Sequence, residues 1–239
     1  MNESIRLSKR LIEIIACSRG EADKYIEGGW VLVDGVIVDE PQFKVTTQKV
    51  ELHPDATLAP VLPATILINS PVVFEANKPI ASLPLITPET RSPEDRSGIR
   101  LLKRHFARLT PTVPLEAGAT GLLVFSQDRK IIRRLVEDAN RNEQEYVVEV
   151  SGEIFEGGLE RLNKIVKRNG KPLPSAKVSW QNENRLRFAL KNPQPGQLAF
   201  MCKAVGLTVV SMTRIRIGRI SMSKLPPGQW RYLAEGKVF

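Results

Sequence analysis

At 239 residues and 42% hydrophobic composition, the chain can bury one large core or two smaller ones. Its 35 Lys+Arg against 26 Asp+Glu give a formal charge of +9. That balance favours polyanions such as RNA, DNA or an anionic membrane. No run approaches membrane-spanning length, Met1 to Ile15 is too polar and acidic for a signal peptide, and two cysteines with two histidines offer no metal spacing; a reduced, cytoplasmic protein without zinc or His-triad chemistry is expected.

The charge is uneven. Residues 1–58 hold 7 Lys/Arg and 10 Asp/Glu, a net of −3, whereas residues 59–239 hold 28 and 16, a net of +12. In the first part, Leu7, Leu11, Ile14 and Ile15 have helical spacing, with Arg6, Lys9 and Arg10 on the polar side. Ser18-Arg19-Gly20-Glu21 has capping-box spacing, so Ser18 should cap a second helix bearing Ala22, Tyr25 and Ile26. Gly28-Gly29 can end that helix in a left-handed turn. Asp34-Gly35 between Trp30–Val33 and Val36–Val38 predicts a type I′ hairpin, because both central residues must take positive φ. Val45 to Leu52 supplies a third strand.

Two short helices followed by a Val-Asp-Gly hairpin resemble the S4-like RNA-binding domain, over about Arg6 to Leu52. The resemblance implies that Arg6, Lys9, Arg10, Arg19 and Lys24 face RNA. The alternative is a small packing module with solvated cations, which the net of −3 supports. The domain is expected over 1–58, with a Pro-rich linker over 59–64 and a second domain over 65–239.

The second domain opens with the strand Thr65–Ile68, ending at Asn69-Ser70-Pro71. Ser92-Pro93-Glu94-Asp95 reads as a helix start, with Ile99, Leu102, His105 and Phe106 on one face, while Arg96, Arg100, Lys103, Arg104 and Arg108 make the segment basic, either a solvated face or a phosphate contact. Leu115-Glu116-Ala117-Gly118-Ala119-Thr120-Gly121 places a carboxylate before the apolar strand Leu122–Phe125. Ile131 to Val136 marks a basic helix, Tyr146–Val150 a β-branched strand, and Leu159 to Val166 a further helix carrying Arg161, Lys164, Lys167 and Arg168. Ala176–Trp180 and Arg185–Leu190 read as strands, the latter with one wet, positive face. A helix over Gln197–Val205 and strands over Leu207–Met212 and Arg214–Ile217 follow. Helices and strands interleave without a βαβ period, so the fold class is α+β with a mixed, largely antiparallel sheet.

In this order, a strand ending in Asn-x-Pro, the carboxylate-led "Thr-Gly-Leu-Leu" strand and "Glu-Tyr-x-Val-x-Val" are joined by "Arg-Ile-Arg-Ile-Gly" (Arg214 to Gly218) and "Leu-Pro-Pro-Gly-Gln-Trp-Arg-Tyr-Leu" (Leu225 to Leu233). Together they resemble the bacterial S4-domain-containing ribosomal RNA pseudouridine synthases across nearly the whole chain. The resemblance implies a cofactor-free isomerisation of uridine in structured RNA, in which a carboxylate acts on a flipped nucleotide and an aromatic stacks on its base. Position by position, the family aspartate is Glu116 and its neighbouring arginine Pro114. The aromatic is Tyr146, the lysine two places before it Gln144, and the arginine expected to pair with the carboxylate Ala199. The early lysine aligns with Ser70, or in a shifted register with Lys78.

Glu for Asp moves the carboxylate by one methylene, and a misplacement of about 1 Å can lower a rate roughly 10²-fold. A buried carboxylate without a cation also tends to protonate. Three functions therefore compete. The first is a synthase using Glu116 and Tyr146, with RNA held by Arg6, Lys9, Arg10, Arg19, Lys24, Arg100, Lys103, Arg104, Arg214 and Arg216. The second is a catalytically degenerate RNA-binding protein of ribosome assembly or regulation, and the third a protein scaffold. The partner expected is structured, ribosomal RNA, with no membrane and no small-molecule cofactor, bound by a monomer.

Overall fold

A computed structural model describes residues 4–71, 82–164 and 166–239. The chain divides into two units: residues 1–63 with 99–107, and residues 64–98 with 108–239.

In the first unit the elements run β1 (Ile5–Arg6), α1 (Leu7–Ile15), α2 (Arg19–Glu27), β2 (Val31–Val33), β3 (Val36–Ile37), β4 (Lys44–Val45) and β5 (Val50–Leu52). The Ser18 hydroxyl accepts from the Glu21 amide and the Glu21 carboxylate accepts from the Ser18 amide, which is the reciprocal cap expected of this spacing. Asp34 and Gly35 take φ of 50° and 80°, as the I′ turn requires. Leu7, Leu11, Ala22, Ile26, Val31, Val33, Val45 and Val50 make the core, while Ile14, assigned to the same helix face, is exposed. The third strand is broken: β4 pairs with β1, and β5 with β2.

The helix expected from Ser92 does not form. Gly98 has a left-handed φ of 72°, and only a 3-10 turn, Lys103–Phe106, appears in the basic segment. Its apolar residues instead pack on the first unit. Leu102 sits so close to Gly29 that a Cβ there would lie 2.5 Å from Leu102 Cδ2. The Arg100 guanidinium lies 3.2 Å from the Trp30 ring centroid.

The second unit contains β6 (Thr65–Ser70), β7 (Thr110–Pro111), β8 (Ala119–Ser126), α3 (Arg129–Val136), β9 (Glu143–Ser151), α4 (Gly158–Leu162), β10 (Lys167–Arg168) and β11 (Lys171–Pro172). It continues with β12 (Ala176–Asn182), β13 (Arg185–Lys191), α5 (Gln197–Lys203), β14 (Thr208–Ile217), β15 (Ile220–Ser221) and β16 (Trp230–Tyr232). The main sheet has the order β12-β13-β9-β14-β8-β6-β16, with β15 on β14 and β7 on β8. Among the described strand pairs of this sheet β14 and β8 alone run parallel, so the expected α+β fold with a largely antiparallel mixed sheet is what forms.

Two local expectations fail here. Residues 159–168 do not make one helix: α4 stops at Leu162, and Lys167 and Arg168 begin a hairpin turned by Asn169 and Gly170, both at positive φ. Ile165 of the expected helix lies outside the described residues. The face of β13 expected to be positive is instead neutralised. Arg185 pairs with Glu149, Arg187 with Glu145, and Arg216 of β14 with Glu143 and Glu145. Alternation along β13 revealed its cations, but their partners lie on β9 at cross-strand positions.

Candidate active site

The site is built where β8, β9 and β14 run side by side. Gly121 of β8 has φ of 103°, and a Cβ on it would meet the Arg214 carbonyl oxygen at 2.4 Å. Only glycine lets the two parallel strands close there. That approach brings Arg214 beneath the segment leading into β8. Arg214 is fully buried and saturates its guanidinium on protein acceptors. Nη2 donates to the Val113 carbonyl at 2.9 Å, Nη1 to that of Pro114 at 2.7 Å and Nε to that of Leu122 at 2.9 Å. Nη1 also donates to Gln144 Oε1 at 2.9 Å.

Two places beyond Pro114 stands Glu116, only 3% exposed. Its carbonyl accepts from the Ala119 amide, closing a turn through Ala117 and Gly118, the latter at φ 82°. Oε1 is buried and has no hydrogen-bond partner among the described residues. Burial raises the carboxyl to about 7; the backbone amides of Gly196, Leu198 and Gln197 at the start of α5, and the charge of Arg168, pull the other way. Burial is the larger effect.

Arg168 is the cation that acts on Glu116. It stands on the β10–β11 hairpin, donates from Nη1 to the Pro195 carbonyl at 3.0 Å, and lies 6.0 Å from the Phe200 ring centroid. The same Nη1 is 3.6 Å from where a Cβ on Gly196 would be, so hairpin and amide turn are fastened together. Sequence reasoning put Arg168 outward on a helix; the Asn169-Gly170 pair was the turn signal that could have found the hairpin.

Tyr146 is fully buried, its hydroxyl donating to Gln144 Oε1 at 3.1 Å and lying 3.5 Å from Arg214 Nη1. Burial raises its phenol, which Arg214 opposes and Glu116 reinforces, so the hydroxyl stays protonated. Gln144, which looked like the loss of a lysine, is the acceptor joining Tyr146 to Arg214.

The other expected site residues separate into two groups. Arg214 cannot reach phosphate, because it is fully buried and its guanidinium donates to acceptors inside the fold. Arg216 is bound to Glu143 and Glu145. In the first unit, Arg100 stacks on Trp30, Lys103 pairs with Glu40, Arg104 with Glu27, and Arg10 with Glu13 while donating to the Thr46 carbonyl. By contrast, Arg6, Lys9, Arg19 and Lys24 are exposed and make no side-chain hydrogen bond or ion pair among the described residues. Lys78 lies outside the described residues.

Residues 15–50 match the S4 domain family. The chain is 27% identical over 244 residues to the dual-specificity RNA pseudouridine synthase RluF of Escherichia coli K12, covering 99% of this chain and 78% of that protein. It is 28% identical over 238 residues to an uncharacterized RNA pseudouridine synthase of Aquifex aeolicus, covering 98% and 94%. It is 28% identical over 236 residues to ribosomal large subunit pseudouridine synthase B of Yersinia pestis, covering 95% and 72%. Among solved structures, a pseudouridylate synthase matches 97% of this chain and 96% of its own at a TM-score of 0.59 and 18% identity, a likeness of fold. The chain thus combines an S4 domain with a pseudouridine synthase fold. Along nearly its whole length it is similar to the S4-domain-containing ribosomal RNA pseudouridine synthases.

Proposed function

We propose that this protein is an RNA pseudouridine synthase that isomerises a uridine in structured ribosomal RNA, with Glu116 in the place of the family aspartate. The reading is carried by one observation: the carboxylate of Glu116 is held at the mouth of β8, between the Tyr146–Gln144–Arg214 network and the amides of residues 196–198. Similarity to synthases over nearly the whole chain supports it. The reaction breaks the bond from the ribose to a ring nitrogen of uracil and makes one to a ring carbon. That carbon releases a proton and the freed nitrogen takes one up, so atoms and electrons balance within the substrate.

In this reading, ionised Glu116 acts on the nucleotide, Arg214 fixes the segment that carries it, and Arg168 and the amide turn favour the charged form. Arg6, Lys9, Arg19 and Lys24 on the S4 unit are the cations free to neutralise phosphates. The burial of Tyr146 favours a second reading, a protein that keeps the fold for RNA binding alone, because its ring presents no open face to a base.

Deleting the protein from its host, mapping pseudouridine across ribosomal RNA, and restoring wild-type or Glu116→Ala separates the two. A modification lost on deletion and regained only with wild-type establishes the enzyme. An unchanged map with the protein still sedimenting with RNA establishes the binder.

A further inference from the structure

Between Glu160 and Glu183 the chain carries six cations and no acid: Arg161, Lys164, Lys167, Arg168, Lys171 and Lys177. Half of the net +12 of residues 59–239 is gathered in this stretch. Arg168 acts on Glu116; the others have no part in the reading above.

Three of the six stand on the β10–β11 hairpin, whose turn residues Asn169 and Gly170 take φ of 53° and 74°. Arg168 is the cross-strand partner of Lys171, so the two side chains share a face. Like charges directly opposite one another work against pairing, and the hairpin holds no acid to offset them. Two short strands are also marginal without outside support. Here the support is specific. Arg168 Nη1 donates to the Pro195 carbonyl at 3.0 Å, and the fully buried Gln197 donates from Nε2 to the Pro174 carbonyl at 2.7 Å. Gln197 Oε1 in turn accepts from the Gln194 amide at 3.0 Å. The hairpin is thus stapled to the same turn whose amides act on Glu116.

Lys164, Lys167 and Lys171 are exposed and make no side-chain hydrogen bond or ion pair among the described residues. The acids nearest in the chain and in the site do not neutralise them. Glu160, in the first turn of α4, has Oε2 3.9 Å from where a Cβ on Gly157 would lie, and Glu116 is buried. A basic loop kept only for solubility needs neither opposed charges nor a buried staple. A chain of phosphates laid across the hairpin would relieve the Arg168–Lys171 repulsion and meet the lysines as point charges.

We infer that the β10–β11 hairpin, with Lys164 before it, is a phosphodiester-binding surface that takes the RNA strand beside Glu116. The inference rests on the RNA-directed reading above and adds a contact that the S4 cations do not provide. It also accounts for a second domain that stays strongly basic although Arg214 and Arg216 are engaged internally.

The test is the salt dependence of binding by the full chain to a fluorescent ribosomal RNA fragment, read by anisotropy. Lys164→Gln/Lys167→Gln/Lys171→Gln removes the charge, and Lys164→Arg/Lys167→Arg/Lys171→Arg keeps it. Arg129→Gln/Lys130→Gln/Arg134→Gln removes the same charge from exposed positions on α3. The first variant should weaken binding and lower the slope of log K against log salt by about 2, at roughly 0.7–0.9 per phosphate contact. The arginine variant should keep the slope of the unaltered protein, and the α3 variant should lower it less than the first. A loss of slope in the first variant no larger than that of the α3 variant overturns the surface while leaving the RNA reading intact. So does an equal loss in the arginine variant, which would mark a disturbed hairpin rather than missing charge. Absence of salt-dependent binding by the unaltered protein overturns both.

Discussion

Arg214 Nη1 donates to the Pro114 carbonyl at 2.7 Å, so a cation on β14 sets the position of a carboxylate two residues beyond its acceptor. What this chain retains is a buried guanidinium that grips the backbone around it, leaving the electrostatic task to Arg168.

Replacing Arg214 by Met should therefore be severe. Removing it takes the guanidinium donor from the carbonyls of Val113, Pro114 and Leu122 and leaves Gln144 Oε1 with the Tyr146 hydroxyl alone, and a loss of about 3–5 kcal/mol is expected from urea unfolding. Arg214→Lys keeps the charge but cannot span four acceptors, and should fall between the two.

Glu116 links stability to pH. Its folded value of about 7 stands above the ordinary 4.5, so its favourable contribution is fully present below pH 4.5 and is lost as pH rises through 7. Relative to Glu116→Gln, wild-type should lose up to about 3 kcal/mol between pH 4.5 and pH 8. Denaturation curves at the two pH values measure this; an equal gap at both would exclude a buried, titrating Glu116. If Glu116 acts as proposed, in its ionised form, isomerisation by wild-type should climb over the same interval.

Arg168→Ala should move that titration upward, since the cation opposing burial is gone, and the midpoint of the pH–rate curve should rise. Lys167→Ala, exposed on the same hairpin, serves as the control and should leave the midpoint in place.

Gly121→Ala asks whether the close approach of β8 and β14 sets the site. A methyl group 2.4 Å from the Arg214 carbonyl, at a φ of 103°, forces the strands apart. A loss above about 3 kcal/mol is expected, together with loss of activity in whatever fraction folds. Gly170→Ala, whose Cβ would meet nothing within 4 Å, should lose only what its φ of 74° demands.

Local features were the legible ones. The Ser18–Glu21 cap and the Asp34-Gly35 turn each depend on neighbours in sequence, and each formed as its spacing implied. Contacts made across strands were not legible. Arg187 and Arg216 looked free because Glu145 stands on another strand, and Arg214 looked like an RNA contact because nothing near it in sequence shows that Val113 and Pro114 lie above it. The segment 99–107 had helical spacing, but Leu102 and Arg100 found better burial against Gly29 and Trp30. Tertiary packing overrode periodicity there.

The turn at 92–95 also decides what becomes of the sheet's last strand. Ser92 donates its amide to the Trp230 carbonyl at 2.7 Å, and Asp95 takes up the Tyr232 amide, so the outward ladder of β16 is already occupied. At the opposite end, β12 carries exposed Lys177, Ser179, Gln181 and Asn182 and is bent by a bulge between Trp180 and Asn182. Neither margin offers a flat, bare template on which a neighbouring chain could add a strand. A mutation that frees the Tyr232 amide should thus be felt first as self-association at high protein concentration, before any change in chemistry.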